Sequence, residues 1–296
     1  MSEDAAEAIA RVAWDATGRF GMVARRVADG REIVAGEPDR LFQLASVFKV
    51  PVLATLEARV AAGELSWADR HVLTNEAKSP GSGILIDLEP GLSLSLEDLA
   101  TLMMTLSDNT AADMCFAIAG QARIAETLRA WGIAPMSILM DCKTLLADVV
   151  GVPVEEIVRA DPAGKQALMR RGPSAASGAF GEDPARTNLA TARATVDLLA
   201  GVASGRLIGG PAARHMFGIM GLEWYRHRIP ARLPAGARWA TKSGTLSSGV
   251  VNDTGVIESE RGPIAFAMFA TGVADSVRWE RVIARTAEIA YGALGA

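Results

Sequence analysis

Residues 4 to 15, DAAEAIARVAWD, place apolar side chains at helical spacing. Two short runs follow, FGMVARRV (20–27) and REIVAGE (31–37), and both read as strands. Asp29-Gly30 between them supplies the turn chemistry of a hairpin. An apolar stretch opened by SVFKVP then predicts a helix over 46–62. The pattern stays helical at LEDLATLMMTL (96–106), NTAADMCFAIAG (109–120), RIAETLRAWG (123–132) and TARATVDLLAGVASG (191–205). The second of these ends on a glycine suited to a C-terminal cap. Glu155 and Glu156 after Pro153 mark a further helix start, where acids suit the dipole. Two segments break the pattern: the turn-rich KSPGSGI (78–84) and the long RRGPSAASGAFGEDP (170–184). Strands return at RWATKSGT (238–245), GVVNDTGVIES (249–259) and PIAFAMFATGV (263–273). A helix over SVRWERVIARTAEIAYGAL follows them.

Strands from both ends of the chain with helices between predict an α/β (α+β) fold. Residues 1–42 and 206–296 would build one antiparallel sheet flanked by helices. Residues 43–205 would form an all-helical lobe, interleaved with the first rather than linked to it. No internal repeat is present.

Composition agrees with a packed globular chain: 50 % of the 296 residues are hydrophobic and 22 % charged. The net charge of −4, with basic residues scattered, argues against a nucleic-acid or polybasic membrane surface. The first residues, MSEDAAEA, are acidic where a secretory signal would be basic. No uncharged apolar run is long enough to span a bilayer, so a cytoplasmic location is expected. Cys115 and Cys142 make no disulfide framework. With His71, His215 and His227 they show no metal-ligand spacing, so no metal or cofactor is expected, and the partner is a small-molecule substrate.

The chemistry begins at Ser46 and Lys49. A lysine inside an apolar run is costly to bury unless its amine is used. On a helix, positions three apart share a face, so Ser46 and Lys49 would stand together as nucleophile and base. One S-x-x-K is expected by chance in a chain of roughly this length. A second signal, LSDNT at 106–110, also suits a plain turn and cap. The third, ATKSGTLSSG at 240–249, puts a lysine on a strand that ends in glycine. In this order the three match the S-x-x-K, S-D-N and K-T-G set, with serine for threonine in the last. The chain therefore resembles the penicillin-recognising serine hydrolases, and among them the class A β-lactamase-like branch. The segments SLEDLATLMMTLSDNTAAD and ARLPAGARWATKSGT extend the resemblance, which is weakest between about 135 and 188.

The resemblance implies a β-lactamase/transpeptidase-like fold with its active site in the cleft between the lobes. Ser46 would be acylated and Lys49 would accept its proton. Ser107 would relay a proton to the leaving group, and Asn109 would hold Lys49 and the substrate's amide carbonyl. Lys242 would polarise Ser107 and draw in a substrate carboxylate, with Ser243, Gly244 and Thr245 completing the binding strand. The backbone N–H groups of Ser46 and Thr245 would form the oxyanion hole. Asp108 would be structural. Rival serine chemistry lacks residues: no G-x-S-x-G elbow is present, and neither Tyr225 nor Tyr291 stands in a Y-x-N setting between Ser46 and Lys242.

Three departures stand out. The glutamate with which class A enzymes activate the deacylating water has no counterpart. Glu182-Asp183-Pro184 with Asn188 has the wrong spacing, and Glu155 and Glu156 read as a helix start. Lys78 stands near the place of an aromatic at the cleft rim, and Asn252 near that of a substrate-binding arginine. The expected function is a serine hydrolase acting through acyl-Ser46 on a small carboxylate-bearing amide, ester or β-lactam. The alternative is a binding or sensing module of the same fold that is acylated slowly or not at all.

Overall fold

The computed structural model describes residues 2–14, 16–247 and 249–295. Asp15 in the first predicted helix, Ser248 in the ATKSGTLSSG stretch, and residues 1 and 296 of the lobe boundaries lie outside them. The long strands form an antiparallel five-stranded sheet in the order Glu32–Gly36, Arg19–Arg26, Ile264–Thr271, Val250–Ile257, Trp239–Leu246. Both ends of the chain supply it, as the apolar pattern requires. The segment 43–205 is not all-helical as expected. Short strands pair there in two small sheets, Phe42–Gln43 with Leu189–Ala190 and Met136–Ser137, and Arg70–Val72 with Ser93–Ser95.

The central strand shows why. Seven consecutive residues from Ile264 to Ala270 are buried, so both faces of the strand are covered. Its side chains divide with period two. Ala265, Ala267 and Phe269 belong to the larger core with Phe42, Val47 and Leu53. Ile264, Phe266 and Met268 belong to a second core with Ile9, Trp279 and Ile283 of the terminal helices Ser2–Ala13 and Ser276–Gly295.

The larger core surrounds the helix Lys49–Ala61, in which every residue from Lys49 to Glu57 is buried. A helix covered on all sides is apolar all round, which accounts for the unbroken run after SVFKVP. Helices Leu96–Thr105, Asn109–Ala119 and Gln121–Ala130 pack about it and Ala192–Ala203 lies against the sheet, all close to their predicted spans. The first is entered through a capping box between Ser95 and Asp98. Helix Val154–Arg159 starts where Glu155 and Glu156 place it. Helices Cys142–Val150, Pro162–Met169 and Gly210–Met220 are additions to the sequence reading. Most of 170–184 is irregular, as expected. No helix among the described residues is long and apolar enough to cross a membrane.

Candidate active site

Ser46 sits in a single 3-10 turn, Ala45–Phe48, that leads directly into the helix beginning at Lys49. In a 3-10 turn residues three apart eclipse, so the two side chains still share a face, through a tighter geometry than the α-helix expected. Ala45 enters the turn at φ 47° and Ser107 lies at φ 54°. This left-handed region costs a non-glycine residue roughly 1–2 kcal/mol. Strain of this kind clusters where the surrounding fold must aim a side chain.

Lys49 is fully buried. Its Nζ donates to Ser107 O at 2.7 Å, Ser107 Oγ at 3.0 Å and Asn109 Oδ1 at 2.9 Å. The structure thus brings together the first two motifs, 58 residues apart in sequence. Burial pushes the amine down to about 8, and the Lys242 charge works the same way. Asn109 Nδ2 donates to Pro80 O at 2.8 Å, and Ser82 Oγ donates to Ser107 O at 2.7 Å, so the loop 78–84 forms one wall of the site. Asp108 is structural, as expected. It caps helix Asn109–Ala119 through Ala111 N and accepts from Ile84 N and Leu85 N.

The third motif lies on the edge strand Trp239–Leu246, which passes across the nucleophile turn. A Cβ on Gly244 would stand 2.8 Å from Leu44 O and 3.1 Å from Ser46 N, so only glycine allows that approach. Gly244→Ala should therefore shift the strand away from Ser46. We expect acylation of Ser46 to slow by about tenfold to a hundredfold and stability to fall by about 1–3 kcal/mol. Adduct formation and urea unfolding measure the two effects.

Lys242 is placed differently from expectation. Its Nζ donates to Glu223 Oε1 at 3.1 Å and to Ser243 O at 3.0 Å rather than to Ser107. Glu223, fully buried, also accepts from Ser243 N, Ser243 Oγ and Thr241 Oγ1, each at 2.7 Å. Burial opposes ionisation of Glu223, but Lys242 and these hydrogen bonds outweigh it and hold the carboxyl below its ordinary range. Asp253 behind it is pushed up by burial and by the Glu223 charge.

Two rim positions also differ. Lys78 is buried and faces a separate cavity with Asn75 and Gln166, so it does not line the nucleophile cleft. Asn252 is buried within the sheet and donates to Gln43 O and Leu44 O, tying down the segment before Ser46. A guanidinium reaches this end of the cleft from another segment. Arg228 Nη1 donates to Asn252 O at 2.7 Å and Gly244 O at 3.1 Å, and its Nη2 donates to Thr245 Oγ1 at 2.6 Å.

Two cavities meet at Ser46. One, of about 310 Å³, is lined by Ser46, Ser107, Ser243, Thr245, Tyr225, His227, Arg228 and Glu280. The other, of about 220 Å³, is lined by Ser46, Asn109, Phe48, Cys142, Leu145, Leu146 and Leu246 among others, with no carboxylate among the described residues. A larger groove of about 700 Å³ lies against helix Gly210–Met220 and contains none of the predicted site residues. The acids weighed for water activation are elsewhere. Glu182 pairs with Arg40 and Glu156 with Arg171. Asn188 receives Leu139 N and Met140 N, holding the segment that leads to Cys142. Burial pushes the Cys142 thiol well above its ordinary range, so it stays protonated. Asp113 ties this wall to the loop 78–84: it accepts from Ser79 Oγ, Cys142 N and Lys143 N.

The sequence matches the β-lactamase enzyme family over residues 4–294. The chain belongs to that family. Its relatives include the β-lactamase regulatory protein BlaB of Streptomyces cacaoi, 30 % identical over 259 residues, or 79 % of this chain and 80 % of that protein. A β-lactamase from Sphaerobacter thermophilus superposes with a TM-score of 0.80 at 26 % identity, covering 100 % of this chain and 98 % of the other. An ancestral class A β-lactamase shares the fold, with a TM-score of 0.78 at 24 % identity over 98 % of this chain and 99 % of the other. Membership supports a β-lactamase-like serine hydrolase, and the mixed fold with its antiparallel sheet is the class A one.

The sequence reading missed Ser82, Asp113, Glu223, Arg228 and Glu280. Asp113 carried a signal of the same kind as Lys49, an ionisable residue within the apolar helix NTAADMCFAIA. Arg228 is one of several basic residues in WYRHRIPAR and carried none.

Proposed function

We propose that the protein forms an acyl-enzyme at Ser46 with a lactam, ester or small amide, and that the adduct is long-lived. The observation behind the first half is Lys49: a buried amine, pushed down to about 8, hydrogen-bonded to Ser107 and Asn109 beside the nucleophile turn. Neutral Lys49 takes the Ser46 hydroxyl proton as Oγ attacks the carbonyl carbon. The oxyanion is received by the N–H groups of Ser46 and Thr245. Ser107 Oγ gives its proton to the leaving atom and is reprotonated from Lys49, 3.0 Å away.

The second half rests on the 220 Å³ cavity, where none of the described lining residues is a carboxylate that could activate water. A slow second step also supports a sensing role, in which acylation itself is the signal. The Streptomyces cacaoi relative is named a regulatory protein, which favours that reading as the alternative to turnover.

The test is intact mass over hours with benzylpenicillin and, separately, its methyl ester. A persistent adduct absent from Ser46→Ala is the expected result. Protein and both compounds left unchanged would defeat the nucleophile assignment. Compound consumed without adduct would defeat the long-lived intermediate and reveal a base elsewhere in the cleft.

A further inference from the structure

The end of the 310 Å³ cleft beyond Ser243 is lined by one cation, Arg228, with Lys242 fully buried next to Ser243, which at first sight suits a substrate carboxylate. Their hydrogen bonds are already committed. Arg228 donates through Nη1 to Gly244 O and Asn252 O, and through Nη2 to Thr245 Oγ1 and Glu280 Oε1. All four N–H groups of the two terminal nitrogens are used, and its Nε is buried without a partner. Lys242 spends one N–H on Glu223 and one on Ser243 O.

The hydroxyls tell the same story. Glu223 is held ionised and can only accept, so Ser243 Oγ, 2.7 Å from it, must donate to it. Ser243 therefore shows the cleft a lone pair rather than a hydrogen. Glu280, 21 % exposed, stands in the cleft lining 3.2 Å from Arg228 and 3.2 Å from His227 Nε2. Each cation is matched by a carboxylate: Lys242 by Glu223, Arg228 by Glu280.

We propose that this subsite selects against a free carboxylate, with Glu280 as the specificity-determining residue, and that the substrate carries an uncharged ester or carboxamide there. This rests on the Ser46 reading above and adds the substrate's charge. An incoming carboxylate must displace Glu280 from Arg228, lie beside the displaced charge, and meet the oxygen of Ser243. An uncharged carbonyl needs only the Thr245 hydroxyl hydrogen, and a carboxamide N–H can donate to Ser243 Oγ.

Benzylpenicillin and its methyl ester share the acylating lactam and differ in that charge and one methyl group. The initial rate of adduct formation at Ser46, followed by intact mass, should be at least about tenfold higher for the ester. Glu280→Gln keeps the shape and removes the charge, and should raise the acid-to-ester rate ratio by at least about tenfold. Equal rates in the unaltered protein, or a faster acid, would overturn the proposal. So would an unchanged ratio in Glu280→Gln. Absence of any adduct with either compound in either protein would instead remove the Ser46 reading, and the proposal with it. The wild-type comparison stands even if the variant does not fold.

Discussion

Replacing Lys49 with methionine should slow acylation of Ser46 by about 10²–10⁴-fold, the usual contribution of a positioned general base. The argument is electrostatic. An amine can accept the serine proton only when neutral, and an exposed lysine at neutral pH is almost entirely charged. Here burial removes the water that would solvate the ammonium, and the Lys242 charge adds to the penalty, which brings the amine down to about 8. The sign of the pH dependence follows. Below that value the amine is increasingly charged, and the rate should fall by about tenfold per pH unit. Above it the rate should level off. A profile of adduct formation between about pH 6 and pH 9 measures this, and Lys49→Arg, which stays charged throughout, should be as slow as Lys49→Met. A flat profile, or a methionine variant within tenfold of the unaltered protein, would remove Lys49 from the role of base.

The same burial explains what the sequence could and could not reveal. Lys49 was legible because it is polar where everything around it is apolar, and the central strand Ile264–Thr271 because it is apolar on both faces. The arrangement around Lys242 was not. Glu223 comes from the turn after helix Gly210–Met220, and only the folded chain sets its carboxylate 3.1 Å from a lysine 19 residues on. The arginine was sought on the strand bearing Asn252, yet Arg228 delivers its guanidinium to the Asn252 carbonyl from a different segment. Position along the chain does not say which of two segments will fill one place in space. Helices Cys142–Val150 and Pro162–Met169 were missed despite capping aspartates, Asp141 and Asp161, because they are short, nine and eight residues. That gap matters, since the first of them supplies the wall beside the nucleophile. The absence of a carboxylate there was legible as a missing motif; what fills the place, Cys142 with Leu145 and Leu146, was not.

That wall supports a prediction about the second half-reaction. Cys142→Glu should shorten the lifetime of the acyl-Ser46 adduct by about 10²-fold or more, the contribution expected of a general base to water attack. Cys142 opens the helix Cys142–Val150, lines the 220 Å³ cavity beside Ser46 and Asn109, and lies within electrostatic range of the Lys49 amine. The thiol cannot serve, because burial keeps it protonated. A carboxylate there would lose solvation too, but Lys49 and the Asn109 amide would favour its ionised form. Asp113 and Asp141 oppose that by like-charge repulsion, and both lie in the electrostatic surroundings of Cys142. The gain therefore grows as pH rises and the new carboxyl ionises. Cys142→Gln is the control, with the same volume and hydrogen-bonding reach but no base. After labelling and removal of free compound, the decay of the adduct mass reports deacylation directly. Equal decay in the glutamate and glutamine variants would mean that water does not reach the ester carbonyl from this cavity.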